Sequence, residues 1–129
     1  MALVEKLKEI LPAHKVDATV VLLSLPDCKA QVVHTDYGPE TLGDSVAHEH
    51  NGKMPLACLV ALTDNTFLDV WPCAIRFDGS RKFKPMQIRL CAGDVLIFRG
   101  DLVHTGAACG QVANVRIHAY LDVGGNRAA

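Results

Sequence analysis

Val112–Leu121 alternates with a period of two. Asn114, Arg116, His118 and Tyr120 share one face, and Val115, Ile117, Ala119 and Leu121 share the other. An arginine and a histidine cannot be buried against a plain apolar core without partners. The polar face is therefore expected to line a cavity, which turns the apolar face outward, where something must cover it. Ala2–Leu11 can supply the cover. Leu3, Leu7, Ile10 and Leu11 fall on one helical stripe, Glu5, Lys6, Lys8 and Glu9 fall opposite, and Pro12 ends the segment. We expect this short amphipathic helix to pack on the outer face of the sheet that contains Val112–Leu121.

The rest of the chain reads as short strands separated by turns. Ala18–Leu25 is a continuous apolar run, as expected of a strand buried on both faces. Strands are also expected at Ala30–Thr35, Pro55–Leu62, Phe67–Trp71 (interrupted by Pro72), Met86–Cys91, Val95–Phe98 and Leu102–Thr105. Turns fall at Pro26–Lys29, Thr63–Thr66, Asp78–Ser80, Gly93-Asp94 and Gly100-Asp101. About eight short strands and one helix indicate an all-β antiparallel sandwich or barrel, and a jelly roll suits that number. At 129 residues the chain is expected to be a single domain, 1–129. Gly38–Met54 is polar and aperiodic, a long loop expected to border a functional site and act as a lid.

Composition excludes several classes. Thirteen Lys plus Arg balance fourteen Asp plus Glu, so no global charge points to nucleic acid or an anionic membrane. Cys28, Cys58, Cys73, Cys91 and Cys109 are an odd, scattered set without a CxxC pair. They read as small buried residues in a reducing compartment rather than a disulfide framework or zinc cage. The mixed charges of Met1–Glu9 do not make a signal peptide, and the expectation is a soluble, intracellular, cytoplasmic protein.

His34-Thr35-Asp36 carries the chemistry. Side chains two apart on an extended chain point to one face, so an imidazole and a carboxylate are presented together. They make two-thirds of a metal site that leaves coordination positions open. The third ligand should come from a distant strand, and His104, at the far end of a hairpin, is the best candidate. Gly106 beyond it would allow close backbone approach. Arg116 follows 12 residues after His104 on the cavity-facing strand. Blander readings exist for each: a surface pair, a turn histidine, a salt-bridged barrel arginine. A rival motif, His48-Glu49-His50, has the His-x-His opening of cupin-type sites but lacks the Glu that should follow, and reads better as a solvated loop. His14 is a histidine just past the helix. Arg76, Arg81, Lys82, Lys84 and Arg89 read as a solvated hairpin or an anion-docking patch. Tyr37 and Trp71 are either core residues or substrate contacts.

In this order and spacing, His34-x-Asp36, His104 and Arg116 resemble the iron(II)- and 2-oxoglutarate-dependent oxygenases. Gly93–Phe98, Asp69–Pro72 and Asn114–Tyr120 are similar to strands of the phytanoyl-CoA dioxygenase-like branch, and the resemblance covers about Cys28 to Val123. It implies a double-stranded β-helix, a form of jelly roll. It implies that His34, Asp36 and His104 bind Fe(II), and that Arg116 pairs with the distal carboxylate of 2-oxoglutarate. It also implies hydroxylation of a small-molecule or peptide substrate by O2, with release of succinate and carbon dioxide. The chain departs from the pattern in three respects. Cys73-Ala74 follows Pro72 where the branch has Gly-Ser-His. His118 stands where many relatives have a small hydroxyl residue, from which it could also bind 2-oxoglutarate. The chain is also short for the family. The alternatives are a cupin-like metal-dependent isomerase or dioxygenase, and a non-catalytic jelly-roll binding module.

Overall fold

A computed structural model describes residues 2–37, 54–75, 84–108 and 110–123, without the side chains of 73–75. In chain order the elements are α1 (Ala2–Ile10), β1 (Lys15–Ser24), β2 (Leu56–Ala61), β3 (Thr66–Ile75), β4 (Met86–Leu90), β5 (Val95–Arg99), β6 (Leu102–Gly106) and β7 (Asn114–Asp122). They form two antiparallel sheets, one ordered β1-β7-β2-β5 and the other β4-β3-β6. The described residues are thus mostly β with one short N-terminal helix.

The alternation of β7 sorts the two sides of its sheet. Its register places Arg116 opposite Ala61, His118 opposite Leu59 and Tyr120 opposite Ala57. Ala57, Leu59 and Ala61 then meet Leu68, Val70 and Leu90 from the facing sheet, with Phe98 beside them on β5, in the inter-sheet core. On the reverse side, Ala119 and Leu121 cluster with Cys58 and with Leu7 of α1, and Leu3, Leu11, Val16 and Ile97 pack around them. The helix therefore covers the outward apolar face of β7, as its stripe predicts. Ile10 departs from that stripe and is exposed.

Four sequence expectations need correction. Ala18–Leu25 is not buried on both faces: among the described residues β1 is an edge strand paired with β7 alone, and Val21 and Leu23 are 66% and 62% exposed. A nine-residue helix spans only about 14 Å, and its packing reaches Val16 rather than these outward side chains farther along β1. Ala30–Thr35 is not a regular strand. Gln31, His34 and Tyr37 bond through their backbones to Gly106, His104 and Gly100, a spacing of three that cannot continue a ladder of period two. Among the described residues its one bridge is His34 with His104. The cysteines are not all free: Cys28 is disulfide-bonded, while Cys58 is buried and free and Cys91 is exposed and free. Cysteine usage therefore no longer argues for a reducing compartment. Pro72, in turn, does not end its strand: β3 continues to Ile75, and the ladder to β6 shifts register between Val70 and Ile75.

The expected loop Gly38–Met54, His48-Glu49-His50, the Asp78–Ser80 turn and Arg76, Arg81 and Lys82 lie outside the described residues, apart from Met54 itself, which is buried. Lys84 and Arg89 are exposed. Among the described residues no helix is long and apolar enough to cross a membrane.

The β5–β6 turn locks the chain at Tyr37. A side chain at Gly100 would fall 2.3 Å from the Tyr37 ring and 2.9 Å from the Pro55 carbonyl. The Gly100 N–H donates to Pro55 and its carbonyl accepts from Tyr37 N–H. Two substitutions test this packing. Leu7→Ala removes the buried anchor of α1 and is expected to lower stability by about 2–3 kcal/mol, read as a lower urea midpoint with an unchanged m-value. Gly100→Ala is expected to destabilise comparably by displacing Tyr37, and near-UV circular dichroism should show the tyrosine environment changing.

Candidate metal centre

The site is assembled where the irregular segment Gln31–Tyr37 runs beside β6. His34 and His104 form a reciprocal backbone pair, each N–H donating to the other's carbonyl at 3.0 Å. Paired residues of antiparallel strands carry their side chains to the same face, and the two imidazole centroids lie 4.5 Å apart. Asp36, two residues on, joins them from the same side. At Gly106 a close approach of backbone was expected; what fills the space a side chain would need is instead the Gln31 side-chain amide. The Gln31 side-chain oxygen accepts from Gly106 N–H at 3.0 Å, and Thr105 Oγ1 donates to the Gln31 carbonyl at 2.6 Å.

Each imidazole is fixed in the same manner. His34 Nδ1 lies 2.6 Å from the Val32 carbonyl, and His104 Nδ1 lies 2.9 Å from the Leu102 carbonyl. A carbonyl only accepts, so both Nδ1 atoms carry the proton and both Nε2 atoms present a lone pair. Those lone pairs face Asp36 Oδ1 at 3.6 and 3.5 Å. The separations are long for hydrogen bonds. They approach the roughly 3 Å between adjacent donors that share an ion at about 2.1 Å each. The three donor atoms lie within 4.8 Å of one another, and two imidazoles with one carboxylate fit a divalent transition metal that keeps open positions.

Asp36 is buried, which opposes its ionisation, yet the facing imidazoles of His104, His118 and His34 outweigh burial and hold its carboxyl well below the ordinary range. In return, the carboxylate raises the half-exposed His34 imidazole above its usual value. His118 Nε2 stands 3.0 Å from Asp36 Oδ2, the second oxygen of the same carboxylate.

A cavity of about 260 Å³ opens on these groups. His34, Asp36, His104, Arg116 and His118 all line it, and Leu59, Leu68 and Phe98 form apolar walls. Phe98 meets His104 edge-on at 4.9 Å. Arg116 is 8% exposed, and burial lowers its pKa. Its Nη1 donates to Ser24 Oγ at 3.0 Å and Asn114 Oδ1 at 3.2 Å, and it makes no ion pair among the described residues. A larger cavity of about 400 Å³ borders Gly106 and Arg116 from the Thr63–Asn65 turn and contains none of the three candidate ligands.

The other singled-out residues sit elsewhere. Tyr37 is not on the cavity wall. It is 1% exposed, donates to Asp122 and packs edge-on against Tyr120, and burial together with the Asp122 carboxylate raises its pKa. Trp71 is half-buried on β3 and does not line the cavity. His14 bonds through Nε2 to the Met54 carbonyl at 2.8 Å. Sequence reasoning missed Ser24, whose contact with Arg116 arises from the β1–β7 register and has no local signature. Asn114 was placed on the right face by alternation, but its bond to Arg116 was not foreseen.

No protein-family model matches the sequence, and no curated protein is detectably similar to it. Solved structures do share the fold. AviO1 from Streptomyces viridochromogenes Tue57 superposes with a TM-score of 0.69 at 14% identity, over 97% of this chain and 58% of that one. SnoK, a non-heme alpha-ketoglutarate-dependent carbocyclase from nogalamycin biosynthesis, gives 0.62 at 18% identity, over 84% and 50%. An oxidoreductase of the 2OG-Fe(II) oxygenase family from Burkholderia pseudomallei gives 0.63 at 13% identity, over 96% and 54%. The chain thus spans between half and three-fifths of the length of these structures.

If the three donors share one ion, His34→Ala, Asp36→Ala and His104→Ala should each abolish stoichiometric binding of Co(II) or Mn(II) in calorimetry, while His14→Ala should leave it unchanged.

Proposed function

We propose that residues 1–129 form a double-stranded β-helix domain of an iron(II)- and 2-oxoglutarate-dependent dioxygenase that hydroxylates a small-molecule or peptide substrate. One juxtaposition carries the reading: a converging His34–Asp36–His104 donor set and a buried guanidinium without an acidic partner among the described residues line the same cavity. A donor set alone suits many metals and reactions. The added cation asks for an anionic ligand long enough to reach from the ion to Arg116, and a dicarboxylic 2-oxo acid has that form.

His34 and His104 would hold iron through Nε2 and Asp36 through Oδ1. Bound iron would bring the 2-oxo acid and O2 together, and supply the oxidising power that couples decarboxylation to attack on a C–H bond. The chain does the positioning. Backbone carbonyls fix both imidazole tautomers, and Ser24 and Asn114 hold the Arg116 guanidinium from one edge, leaving its remaining N–H groups for a carboxylate fork. Leu59, Leu68 and Phe98 limit water beside the reacting groups. The solved structures named for 2-oxoglutarate chemistry include a carbocyclase and an epimerase, so hydroxylation is the reading for this chain rather than a consequence of the fold.

Anaerobic addition of Fe(II) and 2-oxoglutarate together should produce a visible absorption band that neither gives alone, and admission of O2 should release succinate. Absence of both would sink the proposal. Arg116→Ala is expected to weaken 2-oxoglutarate binding at least 10-fold, the scale of a lost charge-assisted pair, with metal affinity retained. Unchanged 2-oxoglutarate affinity would remove Arg116 from its role.

A further inference from the structure

We infer that His118 is a positioning residue for the metal-binding carboxylate and not a ligand for the cosubstrate; this rests on the oxygenase reading above. The two oxygens of Asp36 are divided between different neighbours. Oδ1 faces the Nε2 atoms of His34 and His104 at 3.6 and 3.5 Å, whereas Oδ2 lies 3.0 Å from His118 Nε2. An ionised carboxylate only accepts, so His118 donates through Nε2–H. The donor is well held: its side chain is 12% exposed, its ring packs edge-on against Tyr120 at 4.9 Å, and its backbone sits opposite Leu59 in the sheet.

This arrangement has a chemical consequence. A carboxylate free to turn must be ordered when it meets an ion, and that ordering weakens its hold on the metal. With Oδ2 committed to His118, Asp36 offers Oδ1 alone and its plane is fixed. The contact joins β7 to the Gln31–Tyr37 segment from the opposite sheet, so His118 also sets how far Asp36 reaches across the cavity. Arg116, two residues earlier on the same face, already has Ser24 and Asn114 as neighbours and needs nothing from His118.

The test compares wild type with His118→Ala, His118→Leu and His118→Gln, using Co(II) as the probe. Calorimetry reads cobalt affinity, the visible spectrum reads cobalt coordination, and titration of the cobalt-loaded proteins reads 2-oxoglutarate affinity. Loss of a group that orients a metal ligand typically costs about 10–100-fold in metal affinity. We expect a loss of that size for His118→Ala and His118→Leu, with a changed cobalt spectrum. His118→Gln, whose side-chain amide can still donate to Oδ2, should recover most of the affinity and the wild-type spectrum. 2-Oxoglutarate affinity should remain within about threefold throughout, well short of the 10–100-fold scale. If His118→Ala does not fold, the bulkier His118→Leu carries the same comparison. Wild-type cobalt affinity and spectrum in the apolar variants would overturn the inference. So would a loss confined to 2-oxoglutarate, which would make His118 a cosubstrate ligand. A wild-type protein that binds no cobalt would instead overturn the oxygenase reading itself, and this inference with it.

Discussion

The reciprocal hydrogen bonds between the backbones of His34 and His104 are the join on which the site depends. They are the one bridge between the Gln31–Tyr37 segment and β6, and they set two imidazoles side by side with Asp36 next to them. Everything near the join reinforces it. The Gln31 amide fills the space above Gly106, Thr105 bonds the Gln31 carbonyl, and Tyr37 closes the other end against Gly100. A segment held at three points rather than by a continuous ladder can bend to bring Asp36 inward. Regular strand pairing would fix its side chains strictly in and out.

The polar face of β7 belongs to a second constraint, imposed by burial. A sheet that turns Asn114, Arg116, His118 and Tyr120 inward must turn Ile117, Ala119 and Leu121 out. The protein meets that cost with α1, whose Leu7 is buried on Cys58, Ala119 and Leu121. The helix and the cavity are therefore two consequences of one alternating strand, although they lie on opposite sides of its sheet.

This explains what was legible in the sequence. Alternation in Val112–Leu121 is a local property, so the cavity face, the role of the helix and the placement of Arg116 could be read directly. The grouping of His34, Asp36 and His104 was legible because their side-chain types single them out, and a spacing of two fixes which pair shares a face. What failed depended on neighbours far along the chain. The apolar run of β1 says nothing about whether a second sheet neighbour exists, and among the described residues it has β7 alone. Tyr37 looked available beside Asp36, but it is the open space at Gly100 that takes the ring into the core. The partner of His118 is 82 residues away and the Ser24–Arg116 contact joins residues 92 apart, separations that no local pattern spans.

Arg116 is held by two neutral groups, a hydroxyl and an amide, rather than by a carboxylate. Among the described residues that line the cavity, Asp36 and Arg116 set one carboxylate against one guanidinium. A divalent cation alone would upset that balance by two charges in a desolvated space, where such an imbalance is costly. A dicarboxylate alone would upset it equally in the other direction. The pair restores neutrality, so each should bind more tightly in the presence of the other, and by the same factor. Neutral Ser24 and Asn114 as the neighbours of a buried guanidinium thus make the empty and the doubly filled cavity the two electrically quiet states.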